Sequence, residues 1–358
     1  MAEFWKDNWN ETKDHFCAWW ERKGLVLGAW SAVGGAPQRS GTQDPGPPRN
    51  LEQRYADPVW RALHEHHRLG GASFPGDVLP LANTNIGPGS LALLLGSQPD
   101  FSETTIWYEP CIEDPGAAGP LVFDPANRWW KIHEAITREM MARAQGQYFV
   151  GCADLIEGID ILASLRGSET MLYDFIERPG WVRQKVAEIN QVWFSAYERL
   201  YDIIKLEDGS SAWAAFSIWG PGKTAKVQCD AAAMIGPDMF ADFVVPALDE
   251  QCAWLDYSMY HLDGTQAMVH LDLLLGIEAL DAIEWTPQSG LATGADKEWH
   301  DLYKRILAGG KSLQILNVKP EEVAPLLDEI GGNGVYLMID TSDEKGVERA
   351  VRAAEPYR

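Results

Sequence analysis

His261 and Asp263 stand two residues apart in the run Tyr260-His261-Leu262-Asp263-Gly264. On an extended strand, residues i and i+2 project to the same side, so this imidazole and this carboxylate would face one ligand. Such a pair suits a divalent metal ion or a proton transfer. The same two residues could equally serve structure, the aspartate capping a following helix and the imidazole bonding to backbone. Asp340 and Glu284 end two other apolar runs and could add oxygen ligands from neighbouring strands. His261, Asp263 and Asp340 are therefore the candidate metal ligands. Asp77, Asp154 and Glu284 are the candidate groups for orienting substrate or moving protons. Asp77 precedes an apolar segment and the loop Asn85-Ile86-Gly87-Pro88-Gly89, where it could be a catalytic carboxylate or a turn-stabilising one. Asn85, Asn317, Trp107, Trp219 and Trp285 are candidate substrate contacts. The loop pair Cys229-Asp230 offers a thiol to a soft metal, though a lone loop cysteine is more often inert. His64, His66 and His67 form an HxHH run, but on a helix that spacing points to different faces, which favours a solvated surface.

These side chains need a scaffold that ends many strands on one face. Short apolar runs at 148–155, 213–219, 258–263, 282–285, 312–318 and 335–339 predict strands, with 24–30 and 72–80 as two further candidates. Helical periodicity fills the gaps. Asp124-Pro125 opens a helix towards Ala144 with proline at the favoured first position. A second helix is expected over 237–257, and Lys319-Pro320-Glu321 opens a third. Alternating strands and helices mean βαβ units and a parallel sheet. About eight strands favour closure into a (β/α)8 TIM barrel, in which functional groups sit at the C-terminal strand ends. Polar or aromatic residues do terminate nearly every run: Asp154, Trp219, His261, Asp263, Glu284, Trp285, Asn317 and Asp340. Residues 1–70, with a Pro/Gly-rich loop at 36–50, are expected to form an N-terminal extension packed on a barrel of residues 71–358. No GxGxxG follows an early strand and no GxxxxGK[ST] occurs, so neither a dinucleotide fold nor a P-loop has support.

Charge narrows the partners. The chain of 358 residues carries a formal net charge of −22, which repels nucleic-acid phosphates and anionic lipid. No apolar run approaches the roughly 20 residues of a membrane span. The five cysteines are scattered without a CxxC, which reads as reduced thiols. The N-terminal residues have neither a basic nor an apolar leader region. A cytoplasmic protein is expected, and a homodimer on general grounds. Sixteen tryptophans raise the chance of an aromatic-lined pocket, although most should serve as packing.

Several segments in order resemble the uroporphyrinogen decarboxylase superfamily: Gly76-Asp77-Val78-Leu79-Pro80, Gly146-Gln147-Tyr148 through Asp154-Leu155-Ile156-Glu157-Gly158, Gln228-Cys229-Asp230, Pro237-Asp238-Met239-Phe240, and Tyr260 through Gly264. The likeness runs from about residue 60 to the end and is closest to a divergent, uroporphyrinogen decarboxylase-like branch. It implies a (β/α)8 barrel with its site at the C-terminal mouth. Members include cofactor-free decarboxylases and zinc-dependent methyltransferases that act with thiols and corrinoid proteins. By this resemblance Asp77 matches the aspartate that decarboxylases use to hold pyrrole N–H groups, and Asp154 falls where the family has a tyrosine. The family's arginine-rich substrate-gripping motif has no counterpart, so uroporphyrinogen itself is not the expected substrate. The methyltransferases' His-x-Cys pair reads His261-x-Asp263 here, and their later cysteine falls near Asp340.

The resulting expectation is zinc-assisted methyl transfer from a small methylated substrate to a thiol or to a corrinoid on a partner protein. A methylated amine or quaternary ammonium would suit the negative charge and Trp107, Trp219 and Trp285. Two alternatives stay open: a metal-free decarboxylase or lyase with Asp77 as the acid, and a sugar or small-molecule binder on the same fold.

Overall fold

The computed structural model describes residues 3–30, 33–34, 36–288 and 290–358. The first helix, α1 (Trp9–Trp20), buries Thr12, Phe16, Trp19 and Trp20, the i, i+4, i+7, i+8 stripe of an amphipathic helix. It leads into β1 (Leu25–Gly28), whose four residues are all buried. The other strands that position the site are β2 (Leu81–Ala82), β3 (Phe149–Val150), β4 (Ser211–Trp213), β5 (Ile218–Gly220), β6 (Thr224–Gln228), β7 (Tyr257–Asp263), β8 (Ala282–Thr286), β9 (Ser312–Val318) and β10 (Val335–Ile339).

Six of them form one parallel sheet in the order β1-β10-β9-β8-β7-β6. Helices follow the strands, so most positions are buried on both faces, as parallel sheets require. Short pieces connect the two edges of this sheet. The Asp77 N–H donates to Leu27 O, and the Leu27 N–H donates back to the Asp77 carboxylate. Next, β2 pairs with β3, Cys152 bridges to Trp213, and Ser211 Oγ donates to Gly222 O just ahead of β6. The result is a TIM-barrel-like α/β arrangement, although the described residues show no closed eight-strand ladder.

Several expected boundaries shift. The sheet strand expected at 72–80 lies instead at Leu81–Ala82, and Ala72–Ser73 pairs antiparallel with Val33–Gly34. The expected helix of 237–257 breaks into Pro237–Phe243 and Val245–Trp254, and β7 begins at Tyr257. The run 213–219 is a hairpin: β4 and β5 pair antiparallel across Phe216 and Ser217. Both tip residues adopt left-handed φ, 61° and 50°, a conformation costly without glycine. The N-terminal 70 residues do more than pack on the outside, because β1 is itself a strand of the main sheet.

The three clustered histidines lie on the helix Pro58–Gly70 and go to separate partners. His64 stacks on Trp60, His66 Nδ1 meets Tyr148 Oη at 3.1 Å, and His67 Nδ1 meets Thr42 O at 3.0 Å. All five cysteines are unpaired. Among the described residues, no helix is long and apolar enough to cross a membrane.

Candidate metal and proton-transfer site

The register of the parallel strands builds the site. Gln228, His261, Glu284, Gln314 and Tyr336 are successive cross-strand partners on β6, β7, β8, β9 and β10. This row of polar residues crosses the sheet from β6 to β10. Its two halves do different things. Gln314 Nε2 donates to Phe216 O at 2.8 Å and Tyr336 Oη donates to Ser217 O at 3.0 Å, pinning the strained hairpin tip between them. In the other half, His261 Nδ1 bonds to the buried Glu284 carboxylate, which also accepts from Thr286 Oγ1 at 2.8 Å. The Phe216 ring lies against the imidazole, with centroids 4.7 Å apart.

With Nδ1 committed to Glu284, His261 presents Nε2. Asp263 stands two residues further along β7, and Asp230 follows the end of β6. One donor atom from each of Asp230, His261 and Asp263 lies within 4.8 Å of the other two. An imidazole and two carboxylates within that distance can grip a divalent cation and leave coordination positions open. Glu284 then orients the ring and raises its basicity, as second partners of metal-bound histidines do.

Beside this trio lies a buried charge network. Lys226, on β6, is fully buried and its Nζ pairs with Asp154 Oδ1 at 2.8 Å. Burial pulls the lysine pKa down, but Asp154 and Glu157 outweigh it and hold it above the usual value. Burial pushes Glu157 up to about 8 in spite of Lys226 and the Gln228 N–H that it accepts. Burial and the neighbouring Asp160 push Asp230 up to about 6, against the pull of His261 and Lys226. Burial lowers His261, but the Glu284 carboxylate more than reverses this and raises it. Burial in turn raises Glu284. The site therefore holds protons near neutral pH, which acid–base chemistry needs.

The other expected site residues divide into two groups. Asn85 belongs near the site, its Oδ1 accepting the Asp154 N–H. Asn317, with φ of 57°, accepts from Trp30 Nε1, and Trp30 packs on Phe216. Trp107 is 67% exposed and lines a cavity of about 610 Å³ that Asp230 also lines. Asp77, in contrast, is fully buried with its carboxylate taken by Leu27 N–H, His15 and Arg358, so it fastens β1 to the ends of the chain. Asp340 is exposed and outside the trio, and Asp230 takes the third place. Trp219 packs on Trp9, Phe16 and α1. Trp285 packs on Trp299, because strand alternation sends it opposite to the inward Glu284. Both are fully buried core tryptophans.

The sequence assigns no site role to Lys226, Glu157, Asp160 or Phe216, and no ligand role to Asp230. The signal available for β6 was weak, because Thr-Ala-Lys-Val-Gln alternates its polar residues inward and resembles a surface strand.

No protein-family model matches this sequence, and no curated protein matches it significantly. Among solved structures, the chain is similar to a methyltransferase from Methanosarcina mazei, with a TM-score of 0.61 at 9% sequence identity, covering 97% of this chain and 98% of that one. The two share a fold along nearly their whole lengths. The chain is thus a TIM-barrel-like α/β protein with a histidine–carboxylate cluster at one end of its sheet.

Proposed function

We propose that this chain is a uroporphyrinogen decarboxylase-like (β/α)8-barrel enzyme that transfers a methyl group with the help of a divalent metal, most simply zinc. The observation that carries the reading is the convergence of Asp230, His261 and Asp263 within 4.8 Å, with Glu284 behind the imidazole. The shared fold with a methyltransferase favours the same chemistry. The donor set fits: one imidazole and two carboxylates make a hard site that suits zinc and similar divalent ions better than copper(I). When bound, zinc supplies Lewis acidity that lowers the pKa of a thiol or hydroxyl.

The chain's own residues take the remaining roles. His261 is held in one orientation by Glu284 and Phe216. Glu157 carries a proton at neutral pH, and Lys226 with Asp154 keeps a fixed charge beside it. The cavity next to Asp230 receives the methyl donor, with Trp107 at its rim. The methyl acceptor is a thiol or a corrinoid carried by a partner protein. Single-turnover assays that offer methylamines or tetramethylammonium as the donor to cob(I)alamin and to small thiols, before and after chelation, test this. Methyl transfer abolished by chelation and restored by zinc is expected.

A second reading is a metal-free lyase. Its support is Glu157, an acid with a pKa of about 8 near a buried lysine. Turnover that survives complete chelation would select it.

A further inference from the structure

The cavity of about 610 Å³ beside the trio has a one-sided chemistry. Its walls include Tyr108, Ile156 and Met234, with Trp107 at the opening. Trp107 and Met234 are 67% and 50% exposed, so two large apolar side chains flank the entrance without a partner. Tyr108 is fixed by donating its hydroxyl to Pro88 O at 2.7 Å. The charged residues on the wall are Asp160 and Asp230. Among the described residues, no lysine, arginine or histidine lines the cavity. Asp160 meets only neutral donors: the N–H groups of Asp230 at 2.8 Å and Ala231 at 2.9 Å, and Gln228 Nε2 at 3.2 Å. Its negative charge is therefore held in place without a cation against it.

In the metal-free protein a carboxylate or phosphate ligand would meet two carboxylates and no positive group, with apolar walls that strengthen the repulsion. An apolar cation meets the reverse: aromatic faces at the rim and fixed negative charge inside. The volume lies within the range of small-molecule sites. Resting on the methyl-transfer reading for its chemical meaning, we infer that this cavity selects a compact organic cation, an alkylated ammonium, over neutral and anionic molecules of the same shape.

Isothermal titration of the full chain, stripped of metal, with choline, 3,3-dimethylbutanol and 3,3-dimethylbutanoate isolates charge, because the three share one branched head. Choline should bind more tightly than the alcohol, and the butanoate least. Trp107→Ala should weaken choline by roughly two- to fivefold, the worth of a partly exposed cation–π contact. An alcohol that binds as tightly as choline, a butanoate that binds best, or choline that fails to bind at tens of millimolar would overturn the inference. The His261→Ala variant separates this from the metal reading. Choline binding kept there, whatever its metal content, supports the cavity assignment, and choline binding lost there contradicts it.

Discussion

Glu284 and His261 stand opposite each other in the register of adjacent strands, and the carboxylate takes the Nδ1 side of the imidazole. Neither residue is free to turn: Thr286 holds Glu284 and Phe216 packs on His261. The imidazole is thus aimed at Asp230 and Asp263 before any ligand arrives. Glu284→Gln keeps the shape but removes the charge behind the ring. It should weaken zinc binding by about 10- to 100-fold, the usual cost of losing such a partner. A competition titration against a chromophoric chelator measures this, and unchanged affinity would remove Glu284 from its role.

Glu157 makes stability depend on pH in a defined direction. Its pKa rises from 4.5 in the unfolded chain to about 8 in the folded one. Below pH 4.5 both states hold the proton. As pH rises from there to about 8, the unfolded state releases it and the folded state does not, so this group's contribution to stability falls. Glu157→Gln removes that loss. Denaturation midpoints at several pH values should show the variant gaining on the wild type, by up to about 1.4 kcal/mol per pH unit across this window. A difference that stays flat with pH would contradict the assignment.

Lys226 balances the charge of the buried Asp154 carboxylate. Lys226→Met would leave Asp154 buried without its ion-pair partner, which should cost about 3–5 kcal/mol by urea denaturation. Adding Asp154→Asn should recover much of that loss, since both charges are then gone. A Lys226→Met protein as stable as the wild type would show that the network is not closed in solution.

Trp219 belongs to the core that α1 closes, despite its place near the end of an apolar run. Trp219→Ala should lower stability by about 3–5 kcal/mol, as a buried tryptophan deletion does. Zinc and choline affinity should stay unchanged under conditions where the variant is folded. Loss of either affinity in the folded protein would return Trp219 to the site.

The strands with continuous apolar residues were readable: 258–263, 312–318 and 335–339 fall close to β7, β9 and β10. So were His261 and Asp263, because period-two spacing on a strand needs no tertiary information. β6 was not, since its inward residues are Lys226 and Gln228, whose burial depends on Asp154 and Glu157 some 70 positions away in the chain. Asp340 is a candidate ligand by its place at a strand end, but the strand ends spread along the sheet and only neighbours converge. Asp230 follows β6, next to β7, whereas Asp340 follows β10, three strands from β7. Asp77 misled for a related reason: a buried aspartate in a Gly/Pro setting is also what a seam between strands requires.

Metal content tests the central claim most directly. The chain purified untagged without chelator, then loaded with zinc and desalted, should carry about one ion per chain by mass spectrometry, as a single three-ligand site would. Asp230→Asn and His261→Ala should each lose it, and Asp340→Asn should keep it. A wild-type protein that retains no metal, or an Asp340→Asn variant that loses it while Asp230→Asn does not, would contradict the account.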